Sequence, residues 1–172
     1  MWKRLVVIVG LGMVVLAPAR ALAQISDSTL ADRVAAKVRD YAQFSIFDDV
    51  NISVTNRCVT LTGRVTQPFK RDEIGTRVSK LEGIQTLVND IQVLPLSALD
   101  SDLRVRVAQA IYGHPSFWHY ASMARPPIHI IVEGGRVTLT GRVTSEVERT
   151  LAFALAQVPG AFGVKNEIKV GS

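Results

Sequence analysis

Cysteine is almost missing from this 172-residue sequence; Cys58 is the single one. One thiol excludes an intrachain disulfide framework and a cysteine-built zinc site. Histidine is scarce as well. His114, His119 and His129 have few acidic neighbours, whereas a metal centre wants three or four convergent ligands. They read as surface histidines. No Gly-x-Ser-x-Gly motif marks a nucleophilic serine. No Cys-His-Asn or Cys-His-Asp arrangement is evident around Cys58. The glycines form neither a phosphate-binding loop nor a dinucleotide fingerprint. The expectation is a non-enzyme with no catalytic residue, no metal and no cofactor.

An excess of one charge is lacking too. The formal net charge is +5, but Lys3, Arg4 and Arg20 lie in a segment that reads as removable. Without residues 1–23 the chain has 17 basic and 15 acidic residues, a net of +2. That balance argues against a nucleic-acid binder, which normally shows a basic face and an extreme pI. Apolar residues make up 48% of the sequence, which excludes a disordered chain.

Long apolar runs are confined to the beginning. Trp2-Lys3-Arg4 is a short basic start, Leu5 to Leu16 is an uncharged and mostly apolar run, and Ala21-Leu22-Ala23 supplies small residues. This is the secretory signal pattern, with cleavage expected after Ala23. The run is 12 residues, whereas a spanning helix needs about 20. No cysteine follows the cleavage point to take a lipid. No later stretch would cross a bilayer, so the mature chain is expected to have no transmembrane helix. It is expected to be exported, and periplasmic in a double-membrane bacterium.

What the sequence does have is a repeat. Residues 59–66 and 137–144 both read VTLTGRVT, at an offset of 78. Val50-Asn51-Ile52-Ser53-Val54 aligns with Ile128-His129-Ile130-Ile131-Val132 at the same offset. Two copies of one unit fill the mature chain, residues 28–95 and 99–171, after a signal peptide at 1–23. Leu30, Val34 and Val38 form a helical stripe, as do Leu103, Val107 and Ile111. Ser28 and Ser101 are the expected N-caps. Period-two alternation predicts strands through Val50–Val54 and Val59–Val65, and through their second-copy counterparts. Asn56-Arg57 and Gly134-Gly135 suit tight hairpin turns. A second helix carries Ile74, Val78 and Leu81, matched by Leu151, Leu155 and Val158, and is expected to stop at Gly83 or Gly160. A last strand contains Ile91 or Ile168. The fold class is α+β: two tandem α-β-β-α-β units, each a three-stranded mixed sheet covered by two helices.

Both copies carry Gly-x-x-x-aliphatic-x-Asn-x-Ile. The first is Gly83-Ile84-Gln85-Thr86-Leu87-Val88-Asn89-Asp90-Ile91 and the second Gly160-Ala161-Phe162-Gly163-Val164-Lys165-Asn166-Glu167-Ile168. With the VTLTGRV strand before it, the unit resembles the BON domain, the bacterial OsmY and nodulation domain. Ala161 and Leu87 depart from the usual valines without altering the fold reading. The resemblance implies an exported envelope protein tied to envelope maintenance or osmotic stress, with phospholipid surfaces as proposed partners. It implies no catalytic residue. The alternative is a protein-interaction or scaffold module of the periplasm.

Four motif residues are read as structural. Gly63 and Gly141 are expected to end a strand and allow a bend or a close helix approach. Asn89 and Asn166 are expected to hydrogen-bond backbone. The anomaly is an insertion of five residues within His114 to Pro127 of the second copy. It holds Phe117, Trp118, Tyr120, Met123 and Arg125. Aromatics beside a cation suit a bilayer interface. They also suit a seam between the copies or packing into their own core. These five are the candidate lipid or partner contacts.

Overall fold

The computed structural model describes residues 25–171. The expected signal peptide and its cleavage point lie outside the described residues. Among the described residues no helix is long and apolar enough to cross a membrane.

The first unit contains α1 (Asp27–Arg39), β1 (Asp49–Thr55), β2 (Cys58–Val65), α2 (Pro68–Ser79) and β3 (Thr86–Val93). The second contains α3 (Ala98–Tyr112), a 3-10 turn (Pro115–Phe117), α4 (Trp118–Ala121), β4 (Ile128–Glu133), β5 (Arg136–Val143), α5 (Glu146–Leu155), β6 (Gly163–Asn166) and β7 (Lys169–Val170). This is the α+β architecture expected of two tandem units. In each, an antiparallel hairpin is followed by a helix and a parallel strand, so the central strand has one neighbour of each kind. The parallel pairing needs a crossover, which α2 and α5 provide. The last strand is continuous in the first unit. In the second it is broken into β6 and β7, both paired with β5.

The alternation sorts the sheet faces. Val59, Leu61 and Val65 of β2 are buried with Leu30, Val34 and Val38 of α1. Val137, Leu139 and Val143 of β5 are buried with Leu103, Val107 and Ile111 of α3. Each helix stripe thus closes one sheet face, and each unit has its own core.

Helix starts differ from expectation. The N-caps are Ser26 and Ser97, whose hydroxyls accept from the amides of Thr29 and Asp100. Ser28 and Ser101 already lie inside helices, where a cap's extended backbone is not available. The shift gives Asp27 and Asp100 another task. Asp27 accepts from the amides of Asn56 and Arg57 at 2.6 and 2.9 Å. Asp100 does the same for Gly134 and Gly135 at 2.9 and 2.8 Å. Both turns have positive φ at their two central residues, so their amides point together and form a small anion cradle. The first helix of each unit is pinned to its hairpin in this way.

Helices α2 and α5 end at Ser79 and Leu155, earlier than expected. Gly83 and Gly160 lie beyond them, in the turns that lead into β3 and β6.

The units meet along a seam. Ile46 and Phe47, from the loop between α1 and β1, pack against the core of the second unit. The Ile130 amide donates to the Ile46 carbonyl at 2.7 Å. Arg64 pairs with Glu133 at 3.0 Å and Arg125 with Asp40 at 2.9 Å.

Candidate functional site

The five aromatic-segment candidates do not act together. Phe117 is 0% exposed and Tyr120 4% exposed, both in the second core. They are therefore internal packing rather than contact residues. The 3-10 turn, opened by His114 accepting from the Ser116 amide, rotates Phe117 under α3. Burying rings this size offsets the entropy cost of ordering the insertion. Trp118 remains 61% exposed, its indole N–H donating to the Gly113 carbonyl at 3.1 Å. Met123 is exposed as well. Arg125 is tied to Asp40 across the seam.

Tyr120 has a polar task that the sequence pattern hid. Its hydroxyl donates to Glu148 at 3.0 Å and accepts from the Thr144 amide at 3.1 Å. The Thr144 amide and hydroxyl also donate to Glu148, at 2.9 and 2.8 Å. Burial pushes the Glu148 carboxyl up, but these donors outweigh it and hold it below the usual carboxylate range. The first unit solves the same problem with reversed charge. Lys70 occupies the place of Glu148, at the repeat offset of 78. Its ammonium meets the fully buried Asp48 at 2.6 Å. Asp48 also accepts from the amide and hydroxyl of both Thr66 and Ser45. Burial acts to raise its pKa. Lys70 and the four other donors prevail and keep it below the ordinary value. Only a comparison of the charges at equivalent positions signals this exchange.

The motif residues take structural positions. Asn89 donates to the Arg71 carbonyl of α2, and Asn166 to the Arg149 carbonyl of α5. Each fastens the last strand to the crossover helix. Gly63 and Gly141 have φ of +116° and +105° and lie within β2 and β5, not at their ends. The close approach there is by the neighbouring strand, not by a helix. A Cβ would run into the carbonyl oxygen of Asp49 or of Pro127.

Cys58 is an exposed free thiol at the start of β2. His119 stands beside Glu148 at 3.7 Å and packs its ring, tilted, on Tyr120. Among the described residues no group of three His, Cys, Asp or Glu could hold a metal ion.

A second exposed apolar group was missed in the sequence. Leu99 is 82% and Phe162 80% exposed. They flank the β4–β5 turn: Asp100 holds Gly135, and the Phe162 amide donates to the Gly135 carbonyl. Arg136, the register partner of Gly163, is an exposed cation at the same end of the sheet. Leu96 is also exposed, in the linker just before α3. The available signal was a difference between copies, since Leu99 and Phe162 stand where the first copy has Ser26 and Gln85. Trp118 and Leu99 lie at opposite ends of α3, about 20 Å apart at 1.5 Å per residue. Of the ten large apolar side chains exposed among the described residues, only Phe69 and Val88 belong to the first unit. Any apolar contact is therefore concentrated on the second.

No curated protein sequence matches the chain. Two solved structures of CdsD, a structural protein of the type III secretion system of Chlamydia trachomatis, are similar to it. One has 14% identity and a TM-score of 0.29, covering 81% of this chain and 92% of that one. The other, the CdsD C-terminal domain, has 12% identity and a TM-score of 0.27, covering 80% and 96%. Scores that low carry no argument. The family profile described as BON domain matches residues 26–95 and again 100–172. Two matches spanning most of the sequence, one on each α-β-β-α-β unit, mean that the chain belongs to the BON domain family.

Proposed function

We propose that the protein is an exported, non-enzymatic envelope component that touches phospholipid surfaces through its second unit. Family membership supports the coarser part, a non-enzymatic protein associated with the envelope. The observation that carries the lipid reading is the exposure of Leu99 and Phe162 at the end of the sheet that also carries Arg136. Apolar side chains at headgroup depth with a neighbouring cation favour an anionic interface. Each basic residue near such a surface adds only about 1 kcal/mol, so apolar insertion has to supply much of the affinity. Trp118 and Met123 offer a second, smaller point of contact. In this reading the peripheral binding serves envelope maintenance or osmotic protection, the role the BON resemblance implies.

Flotation with anionic and with neutral vesicles at physiological salt tests the reading. The expected result is flotation with anionic vesicles only, lost in Leu99→Ser/Phe162→Ser. Failure to float with either vesicle overturns it. A periplasmic scaffold is the second reading. It is favoured by β3, an edge strand with Val88 exposed, which is open to a partner strand.

A further inference from the structure

A cleft of about 930 Å³ opens along the seam, with walls from both units. It lies apart from the exposed apolar residues at the β4–β5 turn. Its charge is unbalanced. Arg39, Arg125, Arg142 and Lys169 line it against two carboxylates, Asp49 and Glu167. Arg125 is engaged by Asp40, and Glu167 by Lys165, both from outside the cleft. Arg39 of the first unit and Arg142 and Lys169 of the second make no ion pair among the described residues. Asp49 is the one lining acid without a cationic partner there, and it accepts from Asn51 at 3.0 Å. Two positive charges are thus left over within one concavity.

The wall also holds two polar atoms without partners. His129 and Thr140 face each other across β4 and β5. His129 Nδ1 and Thr140 Oγ1 are both buried and make no hydrogen bond among the described residues. Buried polar atoms are normally satisfied, and this unpaired pair sits just within one wall of the cleft. Phe44 packs its ring on His129 at 5.5 Å, and Pro126 and Pro127 complete an apolar side. The volume falls in the range of small-molecule sites, and the wall sets an apolar side against several charged and polar groups.

We propose that this cleft binds a phosphate-bearing ligand whose anion is shared by Arg39, Arg142 and Lys169. Guanidinium forks match phosphate oxygens, and two surplus charges suit a phosphate better than a lone carboxylate. The phosphate is either that of a soluble phosphomonoester or that of a lipid headgroup. Because Arg39 and Arg142 come from different units, the ligand bridges the seam.

The test is calorimetric titration of the purified protein with inorganic phosphate and glycerol 3-phosphate, alongside flotation on phosphatidylglycerol and phosphatidylcholine vesicles. Saturable binding of glycerol 3-phosphate, weakened at least tenfold in both Arg39→Ala and Arg142→Ala, supports a soluble ligand. Flotation on phosphatidylglycerol without titration by either soluble compound, lost in the same two variants, supports a headgroup. Both variants replace exposed side chains. Arg142→Lys and the amide resonances of His129 and Thr140 separate lost binding from lost folding: the ligand is expected to shift those resonances saturably in the unmodified protein. Binding unchanged in the arginine variants, or no binding in any arm, overturns the proposal. Leu99→Ser/Phe162→Ser is expected to leave glycerol 3-phosphate binding intact, so failure of the lipid-surface reading and failure of this one are distinguishable.

Discussion

Replacing Lys70 with methionine isolates the most demanding electrostatic arrangement in the first unit. The change keeps most of the side-chain volume and removes the charge that faces Asp48 at 2.6 Å. Asp48 has no exposed surface, so water does not substitute for the ammonium. Removing one member of a buried pair costs about 3–5 kcal/mol, because the other charge stays buried. Four hydrogen bonds from Thr66 and Ser45 continue to hold the carboxylate. They place the expected loss near the lower end, about 3 kcal/mol. Adding Asp48→Asn removes the stranded charge and is expected to recover about half. The pH dependence has a definite sign. The folded pKa of Asp48 is depressed, so its contribution is present above the unfolded carboxylate value, near 4. It fades as pH falls through the folded value. In Lys70→Met the principal force lowering that pKa is gone, so the folded value rises toward the unfolded one and the acid-dependent loss below about pH 4 becomes smaller. Urea unfolding followed by circular dichroism from pH 3 to 8 measures both effects. A loss under about 0.5 kcal/mol with an unmoved acid limb would refute the reasoning, since it would mean the ion pair contributes no more than an exposed one.

Two other substitutions probe the repeat and the insertion. Gly141→Ala sets a Cβ against the Pro127 carbonyl at a φ of +105° and is expected to cost on the order of 3 kcal/mol; a change under 1 kcal/mol in chemical denaturation would contradict it. Phe117→Ala should cost about 3–5 kcal/mol as a core cavity, while Trp118→Ala should cost less than about 1 kcal/mol, and equal losses in the two would mean the assignment of the two rings to core and surface is mistaken.

The repeat made the architecture legible. Identical VTLTGRVT stretches, with helical stripes before them, were enough to place both hairpins, both cores and the parallel third strand. Asn89 and Asn166 were readable as backbone binders because they share parity with the inward Ile91 and Ile168 on the last strand of each copy. The aromatic insertion was not readable in the same way. Outside a regular element no period relates a residue to a face, so nothing local separates Phe117 from Trp118. Tyr120 goes inward because Glu148 and Thr144, more than 20 residues later, give its hydroxyl partners. The helix starts were missed for a related reason. Ser28 and Ser26 are chemically identical, and the choice is made by Asp27, which is needed at the hairpin. The residues that build the seam were not legible, because Ile46 and Phe47 look like a loop's incidental apolar pair.

That pair changes what the duplication has become. Ile46 and Phe47 belong to the first copy in sequence and to the second in packing. Severing the chain at Pro95 would therefore not yield two equivalent halves. The downstream fragment would lose part of its own interior, and the upstream one would carry two orphaned apolar side chains. The copies have ceased to be interchangeable: one now completes the interior of the other.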